Sequence, residues 1–132
     1  MITAIDTSVL FAISNQEASW EAWKRCLNDA ADSGDLIICP VVFAEYAARF
    51  DNVDKVRSAL NGMSLRWSNF TEESSFLAGR IFTRYRRHKG PRKTMPPDFL
   101  IAAHARTQAD RLAAIDRGYL RTYFPDLQIL TP

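Results

Sequence analysis

The chain has 132 residues, 47% hydrophobic and 24% charged, the length and balance of a single core-forming domain spanning 1–132. No apolar run approaches the ~20 residues of a membrane span, and Met1-Ile2-Thr3-Ala4-Ile5 shows neither the basic segment nor the small-residue cleavage site of a secretory leader, so a cytoplasmic protein without membrane contact is expected. Net charge is only +2, but residues 1–54 carry nine acids and three bases and residues 55–132 six acids and fourteen bases, an imbalance that suits a polyanionic partner for the second part.

Met1 to Ile5 is a short apolar run ending in Asp6 and predicts a buried strand. Thr7 and Ser8 are placed to cap a helix beginning near Val9. From about Glu17 to Ala31, Trp20, Trp23 and Leu27 recur at helical spacing, and Ser33-Gly34-Asp35 ends the run. Leu36-Ile37-Ile38-Cys39 predicts a second buried strand, after which Pro40 opens a helix where its missing N–H costs nothing. A helix over about Val53–Leu60 stops near Gly62, and Leu65-Arg66-Trp67 suits a short strand. Thr71, with Ser74 and Ser75, begins a helix running to about Arg87, followed by a Lys89-Gly90-Pro91-Arg92 loop. Pro96-Pro97 leads into a helix over about Asp98–Gln108. Leu112 to Ile115 predicts a strand ending at Asp116, and Leu127 to Leu130 a last one. Short apolar strands alternating with helices predict an α/β fold, a parallel sheet with helices on both faces. Cys26 and Cys39 lie in apolar contexts, without CxxC spacing, and are expected to be buried free thiols.

The placement of the acids carries the functional argument. Asp6 ends the first strand, Glu45 lies in the second turn of the helix after the second strand, Asp98 starts a helix, and Asp116 ends the Leu112–Ile115 strand. Open α/β sheets form ligand sites beyond the carboxyl ends of their strands, so these four acids can converge. Clustered carboxylates repel one another, and a divalent cation removes that cost. A hard cation such as Mg²⁺ takes oxygen ligands, activates water and stabilises charge on a phosphodiester. Each acid has a plainer reading. Asp6 caps a turn, Glu45 is a surface residue, Asp98 complements a helix dipole, and Asp116 before Arg117-Gly118 belongs to a turn. Their joint placement at strand ends favours the site.

At these residues the chain resembles the PIN-domain ribonucleases, and among them the VapC-type toxins of bacterial toxin–antitoxin pairs. Ile5-Asp6-Thr7-Ser8-Val9-Leu10 resembles the family's opening motif, Pro40-Val41-Val42-Phe43-Ala44-Glu45 its second, and Pro97-Asp98-Phe99-Leu100-Ile101-Ala102-Ala103-His104-Ala105 its third. Asp116-Arg117-Gly118-Tyr119 with Tyr123-Phe124-Pro125-Asp126-Leu127 is similar to its C-terminal end. The resemblance implies a PIN-like parallel sheet of about five strands. It implies Mg²⁺, or Mn²⁺, held by Asp6 and Asp98, with Glu45 and Asp116 as further ligands or organisers of water, and Ser8 supporting Asp6. It implies an RNA substrate, a small antitoxin and a homodimer. One departure is Ala114, where the family commonly has Thr or Ser two residues before the fourth acid.

Arg84, Arg86, Arg87, Lys89, Arg92 and Lys93, with Tyr85 and His88 among them, suit RNA phosphates and base stacking; the plainer reading is a solvated helix end. Because the run leads to Asp98, RNA binding is favoured. Asp110 precedes its strand and should lie at the end away from the site. His104, about 240° round the helix from Asp98, is expected to be structural. Trp20, Trp23, Phe43 and Phe82 suit the core or an interface. An antitoxin could insert Arg or Lys among the acids and lay an amphipathic helix near Phe11 and Trp20. The rival functions are a non-catalytic PIN-like RNA-binding module, and a metal-dependent phosphotransferase or phosphatase with a nucleophilic Asp6, a class that usually has a second Asp where this chain has Ser8.

Overall fold

Five strands of two or three residues alternate with helices, some amphipathic, such as Trp20–Ser33, Val53–Gly62 and Glu72–Arg87, and some largely apolar, such as Thr7–Ser14 and Pro40–Ala47. The computed structural model describes residues 1–115 and 118–132, with Tyr119 in its backbone alone. In chain order the elements are β1 (Thr3–Ile5), α1 (Thr7–Ser14), α2 (Trp20–Ser33), β2 (Leu36–Ile38), α3 (Pro40–Ala47), α4 (Val53–Gly62), β3 (Leu65–Trp67), α5 (Glu72–Arg87), α6 (Pro97–Gln108), β4 (Arg111–Ala113), α7 (Tyr119–Tyr123) and β5 (Ile129–Leu130).

The five strands form one parallel sheet in the order β3-β2-β1-β4-β5. Thr3 of β1 faces Leu36 on one side and Arg111 on the other. All three β1 residues are buried, so both faces of the central strand are covered. At the β3 edge only Leu65 is buried, and at the β5 edge both residues are half-buried. The chain builds β1, β2 and β3 outward in one direction, and α5 and α6 then return it to β4 on the other side of β1. That reversal opens a crevice beyond the carboxyl ends of β1 and β4, where α/β folds place ligands. The expected PIN-like α/β sheet is therefore present.

The core joins Ile5, Leu36, Ile38 and Leu112 of the sheet to Val9, Leu10, Val42, Phe99 and Ala102 of the helices. Thr71 and Ser74 close a capping box, each donating its backbone N–H to the other's hydroxyl at 3.1 Å. The Ser33-Gly34-Asp35 break is a close approach, because a Cβ on Gly34 would lie 2.1 Å from the carbonyl oxygen of Met1. Both cysteines are free, Cys39 buried and Cys26 half-buried.

Several boundaries differ from the sequence reading. Met1 and Ile2 are exposed and precede the strand. Glu17 to Ser19 lie outside α2, and β4 starts at Arg111 and ends at Ala113. The short α7 was not anticipated. Neither Thr7 nor Ser8 caps the first helix. Asp6 does, accepting the Ser8 N–H at 3.1 Å, and the helix begins at Thr7.

Candidate functional site

Asp6, Glu45 and Asp98 line one small cleft of about 170 Å³, together with Thr7, Ser8, Phe11, Ile115 and Leu120. They arrive on three separate elements. Asp6 leaves β1, where its backbone N–H still bonds the carbonyl of Ala113 at 2.9 Å. Glu45 is carried by α3, which Pro40 starts directly after β2. Asp98 stands in the first turn of α6, behind Pro96 and Pro97. The fourth expected acid, Asp116, lies outside the described residues.

Hydroxyl groups orient two of the acids. The Ser8 hydroxyl donates to Asp6 Oδ2 and accepts the Ile115 N–H at 3.2 Å. Ser8 thereby ties the end of β1 to the chain leaving β4. Asp6 is thus both a helix cap and a cleft residue, because its two roles draw on the same Oδ2 and leave Oδ1 without a donor among the described residues. Thr7, buried in the first turn of α1, donates its hydroxyl to Glu45 Oε1 at 2.7 Å. Sequence reasoning assigned Thr7 only a capping role; its signal was a second hydroxyl beside Ser8. Ala114 is buried and apolar, and the Ser8 hydroxyl reaches the chain just after it, at Ile115.

The lining offers oxygen donors and neither Cys nor His. Among the described residues no three of His, Cys, Asp and Glu form a ready-made metal cage. Mg²⁺ rarely uses such a cage and is commonly held by one or two carboxylates, water and substrate phosphate. The carboxylates present fit that donor set. Burial pushes the Cys39 thiol up, and the negative charge of Asp6 adds to the effect, so this nearby sulfur stays protonated and inert.

His104 is buried, with Nε2 2.9 Å from Ser68 Oγ and its ring edge-on to Phe70. Burial lowers its pKa to about 4. It does not line the cleft and serves the packing behind α6. Asp110 accepts the Ile2 N–H ahead of β1, at the sheet end opposite the cleft. Trp23 is in the core, and Phe43 packs edge-on against exposed Trp67 with centroids 5.2 Å apart.

The basic run ends α5 and forms the turn into α6. Arg84, Arg86, Arg87, Lys89, Arg92 and Lys93 are all exposed, but they do not act as one group. Arg86 Nη1 donates to the carbonyls of Gly90 at 3.2 Å and Arg92 at 3.0 Å, so it holds the turn shut. Lys89 adopts φ 61° where the chain reverses. Tyr85 accepts the Arg92 N–H and packs against Phe82, Phe99 and Tyr123. Its ring is committed to the protein, which corrects the expectation that it stacks on bases. Arg84 faces a different groove, beside Arg80 and Arg106 between α5, α6 and α7. Sequence reasoning missed Arg80, although its spacing of four from Arg84 marks the same helix face.

The PIN-domain profile matches residues 3–125. No curated protein sequence matches. Among solved structures, VapBC2 from Rickettsia felis bound to a promoter DNA fragment is similar at 21% identity and TM-score 0.71, covering 98% of each chain. VapBC-1 from nontypeable Haemophilus influenzae is similar at 16% identity and TM-score 0.70, covering 98% of this chain and 97% of that one. VapC20 of Mycobacterium tuberculosis, a sarcin–ricin loop cleaving toxin, is similar at 19% identity and TM-score 0.60, covering 96% and 98%. Domain profile and shared fold agree over nearly the whole chain, which belongs to the PIN-domain family.

Proposed function

We propose that this chain is a metal-dependent endoribonuclease and the VapC-type toxin of a toxin–antitoxin pair. The observation that carries the reading is the convergence of Asp6, Glu45 and Asp98, from three elements distant in sequence, on one cleft beyond the strand ends. Asp6 and Asp98 are the residues that would hold Mg²⁺ or Mn²⁺. When bound, such an ion supplies Lewis-acid stabilisation of charge on the scissile phosphodiester. Glu45 takes the proton from the attacking water, and Ser8 keeps Asp6 in place through its hydroxyl. Asp116 is assigned to the same site on sequence grounds. Arg87, Lys89 and Lys93 bind RNA phosphates, with Arg92 beside them, while Arg84 lies apart in the groove with Arg80 and Arg106.

Partners follow from the solved neighbours, in which a VapC chain is paired with VapB. By that likeness this chain pairs with a small antitoxin, and the family resemblance adds a homodimer to the proposal. Phe11 lines the cleft, so a segment reaching the acids with an Arg or Lys would pass over its ring. No helix among the described residues is long and apolar enough to cross a membrane, in keeping with action on RNA in the cytoplasm.

The deciding experiment maps cleaved RNAs after induced expression of the chain, with Asp6→Asn as control. Discrete RNA ends that appear with the wild type and vanish with Asp6→Asn support the reading. Identical RNA in the two samples overturns it. Co-expression of the small protein encoded beside the chain tests the toxin assignment: it should co-purify, suppress cleavage and restore growth.

A further inference from the structure

Thr7 and Ser8 stand side by side, and each hydroxyl serves a different carboxylate. The Thr7 side chain is buried, whereas Glu45, 38 residues away on α3, is exposed. An exposed glutamate has three rotatable side-chain bonds and would spend most of its time in solvent. The hydrogen bond that holds it toward the cleft comes from Thr7, at 2.7 Å. Oε1 is occupied by that bond, which leaves Oε2 for the chemistry of the cleft.

We infer that Thr7 is a positioning residue for the proposed nuclease site, acting by fixing the Glu45 carboxylate. The inference rests on the nuclease reading of that cleft. The bond is not needed to join α1 to α3. Ser14 Oγ and Tyr46 OH already bond across that interface at 2.8 Å, the Phe11 and Tyr46 rings meet there, and Val9, Leu10 and Val42 are fully buried. A hydroxyl buried at one end of an interface that packs without it, and aimed at an exposed acid, is placed for the acid.

The test compares Thr7→Val, which keeps the shape and removes the hydroxyl, with Thr7→Ser, which keeps the hydroxyl. Glu45→Gln and the Thr7→Val/Glu45→Gln double variant complete the cycle. The full-length chain is assayed on the RNA that the wild type cleaves, and Mn²⁺ binding is measured by calorimetry. Thr7→Val should lower kcat about 10- to 100-fold, the usual cost of removing a group that orients an active-site residue, with KM for RNA and Mn²⁺ affinity unchanged, because Asp6 and Asp98 are the residues that would hold the ion. Thr7→Ser should recover most of the loss. In the Glu45→Gln background, Thr7→Val should change nothing further, because its target is already impaired. Additive losses, an inert Thr7→Val, a Thr7→Ser as poor as Thr7→Val, or a Thr7→Val chain that fails to fold would each overturn the assignment. A folded wild type that cleaves no RNA and binds no Mn²⁺ would overturn the reading of the cleft, and the assignment with it.

Discussion

The acidic cleft and the basic turn between α5 and α6 are both dense in charge, yet they are built differently. In the cleft the charged groups are held by hydroxyls of neighbouring elements: Ser8 on Asp6 and Thr7 on Glu45. Among the described residues neither Asp6 nor Glu45 is in an ion pair. In the turn the flow is reversed, because Arg86 gives its guanidinium to the backbone. Acids brought from three distant elements to one cleft and oriented there by hydroxyls suggest chemistry. Like charges that fasten the chain to itself are partly structure. The two regions touch through Tyr85 and Phe99, edge-on at 5.4 Å, next to Asp98.

The largest expected effect breaks the cleft. Asp6→Asn or Asp98→Asn should lower RNA cleavage at least about a thousandfold, the scale of losing several kcal/mol of transition-state stabilisation. For Asp6→Asn, thermal stability in the absence of metal should be little changed, because asparagine can still cap α1. Cleavage kinetics and a melting curve on the same preparation check both halves. Retained activity would reduce Asp6 to its capping role.

A smaller effect is expected from the turn. Arg87→Ala, Lys89→Ala and Lys93→Ala together should weaken RNA binding while leaving single-turnover cleavage of saturating RNA largely intact. Each lost phosphate contact on single-stranded RNA lowers the slope of log K against log salt by about 0.7, hence by about 2 for the three. Binding isotherms across a salt series measure it. An unchanged slope would make the turn a solvated face.

A buried group outside both regions separates stability from activity. Burial holds the His104 pKa down to about 4, whereas the unfolded chain takes up the proton nearer 6.5. Between those values the unfolded state binds more protons, so stability is fully present above about pH 6.5 and falls as pH drops toward 4. Denaturant midpoints over that window should decline in the wild type and be flatter in His104→Gln. Cleavage at pH 7.5 should be little affected, because His104 stands away from the cleft. A large loss of cleavage there would return His104 to the list of candidate bases.

Much of this was legible because apolar runs declare strands. Leu65-Arg66-Trp67 was placed to the residue, and once strand ends were located, Asp6, Glu45 and Asp98 followed from the rule for open sheets. What escaped depends on contacts distant in sequence. Nothing local tells that the Thr7 hydroxyl reaches Glu45, or that Asp110 bonds Ile2 across 108 residues. The five-residue α7 is too short to show a period, and its start at Gly118, with φ 99°, is a backbone property and not a pattern. Basic residues look alike in a sequence, and only the reversal at Lys89 separates Arg86 from its neighbours.

Arg86 therefore gives the finest test of the comparison. If it holds the turn, Arg86→Ala should lower stability by about 1 kcal/mol, the net worth of hydrogen bonds at an exposed site. RNA affinity at fixed salt should also fall, because Lys89 and Lys93 lose their fixed placement. The salt slope should change less than for Arg87→Ala, since no direct phosphate contact is removed. Arg86→Lys keeps the charge but lacks the planar fork that reaches both carbonyls, so it should resemble Arg86→Ala in stability. If Arg86 instead binds phosphate directly, Arg86→Lys will preserve the salt slope and Arg86→Ala will lower it as far as Arg87→Ala does, with stability unchanged in both. Denaturant melts and salt-dependent binding on these three variants distinguish a turn that is built from one that is merely charged.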